Sequence, residues 1–160
     1  MSLTELADDL GHPMAVDTER PPLRIVSLVP SISETLASWG LAERVVGVTT
    51  YCISPRDAFE GAARVRGTKN PDLAGIVALA PDLVVANEEE NRQVDVERLR
   101  EAGVEVWVTA PRSLTEVADT LERLGVVVGA PDAAAALAGE IRAAVDRALA
   151  ERRARGAGRR

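Results

Sequence analysis

Tyr51 and Cys52 stand side by side, and each is the only residue of its type in the 160-residue chain. A phenol offers a bound molecule both an apolar face and a hydroxyl. A thiol can be a soft metal ligand, although a free cysteine more often serves as a small buried hydrophobe. Lys69, the single lysine, suits a carboxylate or phosphate, or simply a solvated loop. Ser31 can touch a ligand or cap the helix that follows it. Glu88, Glu89 and Glu90 put three carboxylates together at the expected start of another helix, where negative charge is favourable.

These groups do not form a catalytic set. A Ser-His-Asp arrangement needs His12, the only histidine, which falls in an N-terminal turn outside the repeating pattern. One cysteine and one histidine exclude a cysteine-based zinc cluster, a multi-histidine metal site and an internal disulfide. Gly67-Thr68-Lys69 lacks the earlier glycine of a phosphate loop, and Pro30 sits where a dinucleotide-binding turn requires glycines. The residues therefore read as binding groups, and the chain as a non-enzyme with no resident cofactor or metal.

The elements that must hold them are strands alternating with helices. An N-terminal turn around Asp8-Asp9-Leu10-Gly11 leads through a linker to Pro22. Strands are expected at Leu23–Val29, a mostly apolar run too short for a helix, and at Arg44–Thr49, Ala63–Arg66, Leu83–Ala86 and Val104–Val108. Ser31-Ile-Ser-Glu34 has capping-box spacing and opens a helix that Gly40 closes. Further helices are expected over Pro71–Ala80, from the acidic run and Asn91 to Ala102, and from Ser113 to about Gly125. A last long helix covers Pro131–Ala154, with Leu137, Ile141, Val145 and Leu149 on one face, before a frayed arginine-rich tail. The alternation implies an α/β fold, a Rossmann-like parallel sheet with helices on both faces. It divides into a turn and linker (1–22), an α/β lobe (23–130) and a long helix with its tail (131–160). In such sheets ligands bind beyond the carboxyl ends of the strands. That nominates Pro30 and Ser31, Thr50 to Cys52, Thr68 and Lys69, Asn87 to Asn91, and Thr109 to Arg112, all on one edge.

Composition narrows the class. Hydrophobic residues are 46% and charged residues 28%, a globular balance, and the formal charge of -6 argues against nucleic-acid binding. No apolar stretch is long enough to span a bilayer, and residues 1–22 have no basic start followed by an apolar run. The sequence as written thus reads as a soluble, cytoplasmic protein unless a leader has been removed.

An ordered series of segments resembles one family. Asp8-Asp-Leu-Gly11, Arg24-Ile-Val-Ser-Leu-Val-Pro-Ser-Ile-Ser-Glu34, Val46-Val-Gly-Val-Thr-Thr-Tyr51, Gly67-Thr-Lys-Asn-Pro-Asp72 and Ile76-Val-Ala-Leu-Ala-Pro-Asp-Leu-Val-Val85 are similar to the N-terminal lobe of cobalamin and iron-siderophore substrate-binding proteins. The resemblance covers about residues 8–150. It implies two α/β lobes joined by one long helix, with the ligand in the cleft between them. Residues 131–154 match the joining helix, and a second lobe and an export signal are expected beyond the sequence given. By the same resemblance, Tyr51 faces a corrinoid or metal chelate; Cys52, Ser31 and Lys69 are expected near it from their side-chain chemistry and strand-end positions. A glutamate among Glu88, Glu89 and Glu90 meets an ABC permease. The alternatives are a cytoplasmic corrinoid or metal-chelate carrier, or an interaction domain that self-associates through its C-terminal helix.

Overall fold

The computed structural model describes residues 2–158. Its contacts divide into two compact units, Met1–Ala110 and Pro111–Arg160.

The first unit opens with a two-stranded antiparallel hairpin, β1 (Leu3–Ala7) and β2 (Pro13–Asp17), paired from Leu3–Asp17 to Ala7–Pro13. Gly11, at φ +84°, takes the left-handed conformation that the tight connection demands. Five parallel strands follow: β3 (Ile25–Ser27), β4 (Val45–Val48), β5 (Ala63–Arg64), β6 (Leu83–Asn87) and β7 (Val106–Thr109). Their order across the sheet is β5-β4-β3-β6-β7, so the chain builds outward from β3 in one direction and then returns to build in the other. The central strands are short and apolar because both faces are covered: Ile25, Val26, Val84, Val85 and Val106 are completely inaccessible. Each such side chain contributes roughly 1.5–3 kcal/mol relative to an exposed one.

Helices α1 (Pro30–Ser38), α2 (Leu73–Ala78) and α3 (Gln93–Glu101) connect the strands. Ile76 of α2 and Val96 and Leu99 of α3 share one core with Val26, Leu28, Val84, Ala86, Val106 and Val108. Helix α1 packs beside β3 and β4. The expected Rossmann-like parallel sheet with helices around it is present.

The helix starts differ from expectation. Ser31 does not cap α1: the cap lies earlier in the chain, at Val29, which makes no side-chain bond, and Pro30 fills the first turn. Proline has no N–H to lose there and brings a preset φ, so the capping box is not needed. The acidic run does not open α3 either. That helix starts at Gln93 after Arg92, whose guanidinium bonds the buried Asp95 at 2.9 and 3.0 Å. Helix α2 is capped by an acidic residue as its sequence suggests, the Asp72 carboxylate accepting from Gly75 N, but it spans only Leu73–Ala78, so Pro71 precedes the helix and is not in its first turn.

The second unit is a pair of helices, α4 (Leu114–Val128) and α5 (Pro131–Ala157), joined by a turn at Gly129, φ +80°. Ser113 caps α4 by accepting from Glu116 N, while Glu116 reaches back to Arg112 N at 2.5 Å. The helix does not stop near Gly125. Gly125 lies mid-helix against α5, where a Cβ would collide with the Ala134 methyl and come within 3.1 Å of Ala130 O. Arg142 of α5 then bridges to α4, bonding Glu122 at 2.5 Å and Asp119 at 2.6 Å. Helix α5 is longer than expected, running through Ala157, so Arg155 to Ala157 are helical rather than frayed. Arg159 and Arg160 of the expected tail lie outside the described residues. Among the described residues, no helix is long and apolar enough to cross a membrane.

Candidate ligand-binding edge

All five sheet strands point the same way, so the segments after Ser27, Val48, Arg64, Asn87 and Thr109 emerge at one edge. Hydrogen bonds tie these segments together. Thr50 N, after β4, donates to Arg66 O, after β5, at 2.9 Å. Asn91 is 4% exposed, and its amide nitrogen donates to Leu28 O at 3.2 Å and Thr68 O at 3.1 Å. Its amide oxygen accepts from Asn87 N at 2.8 Å. Asn87 in turn donates to the Thr109 hydroxyl at 3.2 Å, and Glu88 N to Thr109 O at 3.0 Å. One buried amide thus links the loops on both sides of the point where the strand order reverses, the place where such sheets bind ligands.

Tyr51 stands on this edge, 63% exposed. It occupies a turn closed by Cys52 N donating to Thr49 O at 3.1 Å, and its ring lies over Gly67, where an added Cβ would sit 3.4 Å from Tyr51 Cε2. Ile53, two residues on, is 78% exposed, so the loop offers two apolar side chains to solvent. Lys69 is exposed, and its ammonium donates to Glu89 O. Ser31 is exposed on the first turn of α1.

Cys52 is placed differently. It is 2% exposed, with its sulfur 3.0 Å from Ser33 Oγ and 3.2 Å from Thr49 Oγ1. Ser33 Oγ lies 2.8 Å from Ser27 Oγ, so four buried side chains form one polar chain beneath the Tyr51 turn. No base touches the thiol among the described residues. Ser33 belongs to this chain and is fully buried.

Glu88, Glu89 and Glu90 form an exposed turn between β6 and α3. The Asn87 side-chain oxygen shapes it by accepting from Glu89 N at 2.9 Å and Glu90 N at 3.1 Å. The three carboxylates are therefore carried on an asparagine-built turn, not on a helix terminus.

Two residues hold this edge through bonds that the sequence does not mark. The strand-end rule nominates Asn91 with the rest of the segment from Asn87, but not its bonds to Leu28 O and Thr68 O. Arg64 reads as part of a short strand, yet its guanidinium donates to Thr49 O at 3.3 Å and Cys52 O at 2.9 Å. Nothing local in the sequence marks that bond.

What the edge offers chemically is an exposed phenol, an apolar neighbour, an ammonium and an acidic turn. These are groups that hold and orient a molecule. The sequence model of the periplasmic binding protein family matches residues 25–154. The chain belongs to that family. It is similar to an uncharacterised ABC transporter substrate-binding lipoprotein of Bacillus subtilis, 34% identical over 72% of this chain and 37% of the relative. Among solved structures, it resembles the periplasmic vitamin B12 binding protein of Vibrio cholerae at 28% identity and a TM-score of 0.70. That match covers 79% of this chain and 49% of the other. A periplasmic heme binding protein from Pseudomonas aeruginosa matches at 29% identity and a TM-score of 0.70, over 79% and 45% of the two chains. This periplasmic-binding-protein chain thus spans less than half the length of each of these relatives.

Proposed function

We propose that this chain is a ligand-binding lobe of the substrate-binding component of an ABC-type uptake system, taking cobalamin or an iron or other metal chelate. The observation that carries the reading is Tyr51, exposed with Ile53 at the carboxyl edge of the sheet, in a family whose similar members are named for vitamin B12 and heme. A flat, largely apolar macrocycle suits such a surface, and the phenol hydroxyl supplies a directional contact. Lys69 and Ser31 stand at the rim, while Cys52 serves from below by supporting the turn. The acidic turn of Glu88, Glu89 and Glu90 is the surface for basic residues of a permease. The setting is extracytoplasmic, as for the lipoprotein and periplasmic relatives, which replaces the cytoplasmic placement expected from the sequence.

One lobe supplies one wall of a cleft, and desolvation of the ligand is incomplete with one wall. A protein of residues 1–160 alone should therefore bind cyanocobalamin or hemin at micromolar affinity or weaker, no more favourable than about -8 kcal/mol. Absorbance titration tests this, with Tyr51→Ala weakening whichever complex forms. Nanomolar binding by the isolated monomer would overturn the one-wall reading, and unchanged affinity in Tyr51→Ala would remove Tyr51 from the site. Binding of neither probe would remove the proposed ligand class.

A further inference from the structure

The Tyr51 turn is exposed between two buried ends. The ring is mostly exposed, whereas Thr49 and Cys52 are buried, and the main chain is held by Cys52 N donating to Thr49 O and Thr50 N to Arg66 O. The next residue turns tightly as well, with Ile53 N donating to Tyr51 O at 3.0 Å. Thr50 and Tyr51, exposed between these anchors, are the part of the turn expected to open locally. An exposed phenol that wanders must be immobilised whenever it meets a ligand, at a cost in affinity.

Arg64 counters this from the neighbouring strand. Its Cα pairs in register with Val48, the last residue of β4, so its side chain starts beside the turn. The backbone on either side is pinned as well, since Val65 N donates to Val48 O at 2.9 Å and Arg66 O accepts from Thr50 N at 2.9 Å. From that fixed base one guanidinium nitrogen reaches both Thr49 O and Cys52 O, the two carbonyls that bracket Thr50 and Tyr51. A charged donor gives stronger bonds than a neutral one, and the rigid fork of arginine loses little freedom in making them. An ordinary edge-strand arginine would instead extend into water.

We propose that Arg64 is a positioning residue, which clamps the Thr49–Cys52 turn and thereby fixes the direction in which Tyr51 is presented. The clamp also holds the Cys52 backbone above the buried chain of Ser27, Ser33, Cys52 and Thr49. Its value for binding rests on the ligand role of Tyr51 proposed above, whereas the clamp itself does not.

The test uses two reporters that the sequence makes unique, the single phenol and the single thiol. In protein of residues 1–160 carrying ring-13C tyrosine, the Tyr51 signal should lose order in Arg64→Ala. Cys52 should also react with an aromatic disulfide reagent at least about tenfold faster, because opening of the turn exposes the buried sulfur to the reagent. Arg64→Lys should recover part of both effects, and it remains usable if Arg64→Ala does not fold. Unchanged ring order and thiol rate in a folded Arg64→Ala or Arg64→Lys protein would overturn the clamp. Cyanocobalamin and hemin binding form the second arm. Arg64→Ala should weaken the complex about tenfold in the parent protein and have no further effect in Tyr51→Ala, because the gain from pre-organisation acts through the ring. An equal loss in both backgrounds would make Arg64 a direct ligand contact and overturn its positioning role. If ring order and thiol rate respond but neither probe binds, the clamp stands and the proposed ligand class falls.

Discussion

Asp8 is the residue on which the N-terminal hairpin depends. Its carboxylate is 3% exposed and accepts from Leu10 N, His12 N, Val108 N and the Arg100 guanidinium, at 2.9 to 3.1 Å. Removing it leaves three N–H groups and a partly buried arginine short of a partner. Asp8→Ala should thus cost about 3 kcal/mol, measured by urea unfolding, and Asp8→Asn less, since one oxygen remains. A loss within a few tenths of a kcal/mol would mean that water replaces the carboxylate freely. Asp8 also shows where residue-scale reading succeeds and fails. The Asp-Asp-Leu-Gly turn is legible from φ preferences within four residues. Its role in joining α3 and β7 is not, because Arg100 and Val108 lie about a hundred residues away. Tyr51, Lys69 and Asn91 could be nominated because a general rule about strand ends applies to them. The bonds that Arg64 and Asn91 make to distant carbonyls leave no local mark.

At the scale of elements, strand and helix order is legible because apolar runs and their Gly and Pro stops are local signals. Element ends are less so, as the start of α1 at Pro30 and the continuation of α4 past Gly125 illustrate. A glycine inside a helix reads as a stop, whereas Gly125 is present because α5 approaches too closely for any side chain. Gly125→Ala should accordingly destabilise the helix pair by about 1 kcal/mol or more, overpacking outweighing the better helix propensity. Gly139→Ala should do the opposite and stabilise by about 0.5–1 kcal/mol, since Gly139 is exposed in α5 and a Cβ there meets nothing within 4 Å. Thermal melts of the two variants should move in opposite directions; a common direction would contradict the close approach. The same helix pair carries an acid-sensitive link. Hydrogen bonding to Arg142 holds the Glu122 carboxyl below its ordinary value, assisted by charge attraction and opposed by desolvation and the neighbouring Asp119 charge. A lowered folded-state pKa means that the contribution is complete above the ordinary glutamate value and disappears as pH falls through the lowered one. Acid titration followed by circular dichroism should show this loss in the parent protein and not in Arg142→Gln. Identical acid profiles would leave the bridge without stabilising effect.

Across the whole molecule, the sheet and the long helix are legible as family features. The chain covers 37% of its Bacillus subtilis relative. Helix α5 leaves apolar surface uncovered. Its expected apolar stripe is half-buried at Leu137, Ile141 and Val145, and Leu149 is 46% exposed. A protein of these residues alone should self-associate, with 145–154 in the contact or exchanging amide hydrogens quickly. Light scattering that shows a strict monomer, with strong amide protection through Arg153, would contradict this.

The two flanks of the parallel sheet carry a different consequence. An open strand flank is a template on which other chains can polymerise. On one side, the hairpin turn occupies that template, since Asp9 N donates to Val108 O and Ala110 N to the Asp9 carboxylate at 2.7 Å. On the other side, β5 is only two residues long and gives way at Arg66, whose φ of +68° turns the backbone out of extended geometry. With both flanks blunted, contacts between copies should be helical and finite, so concentrating this protein favours discrete oligomers over fibrils.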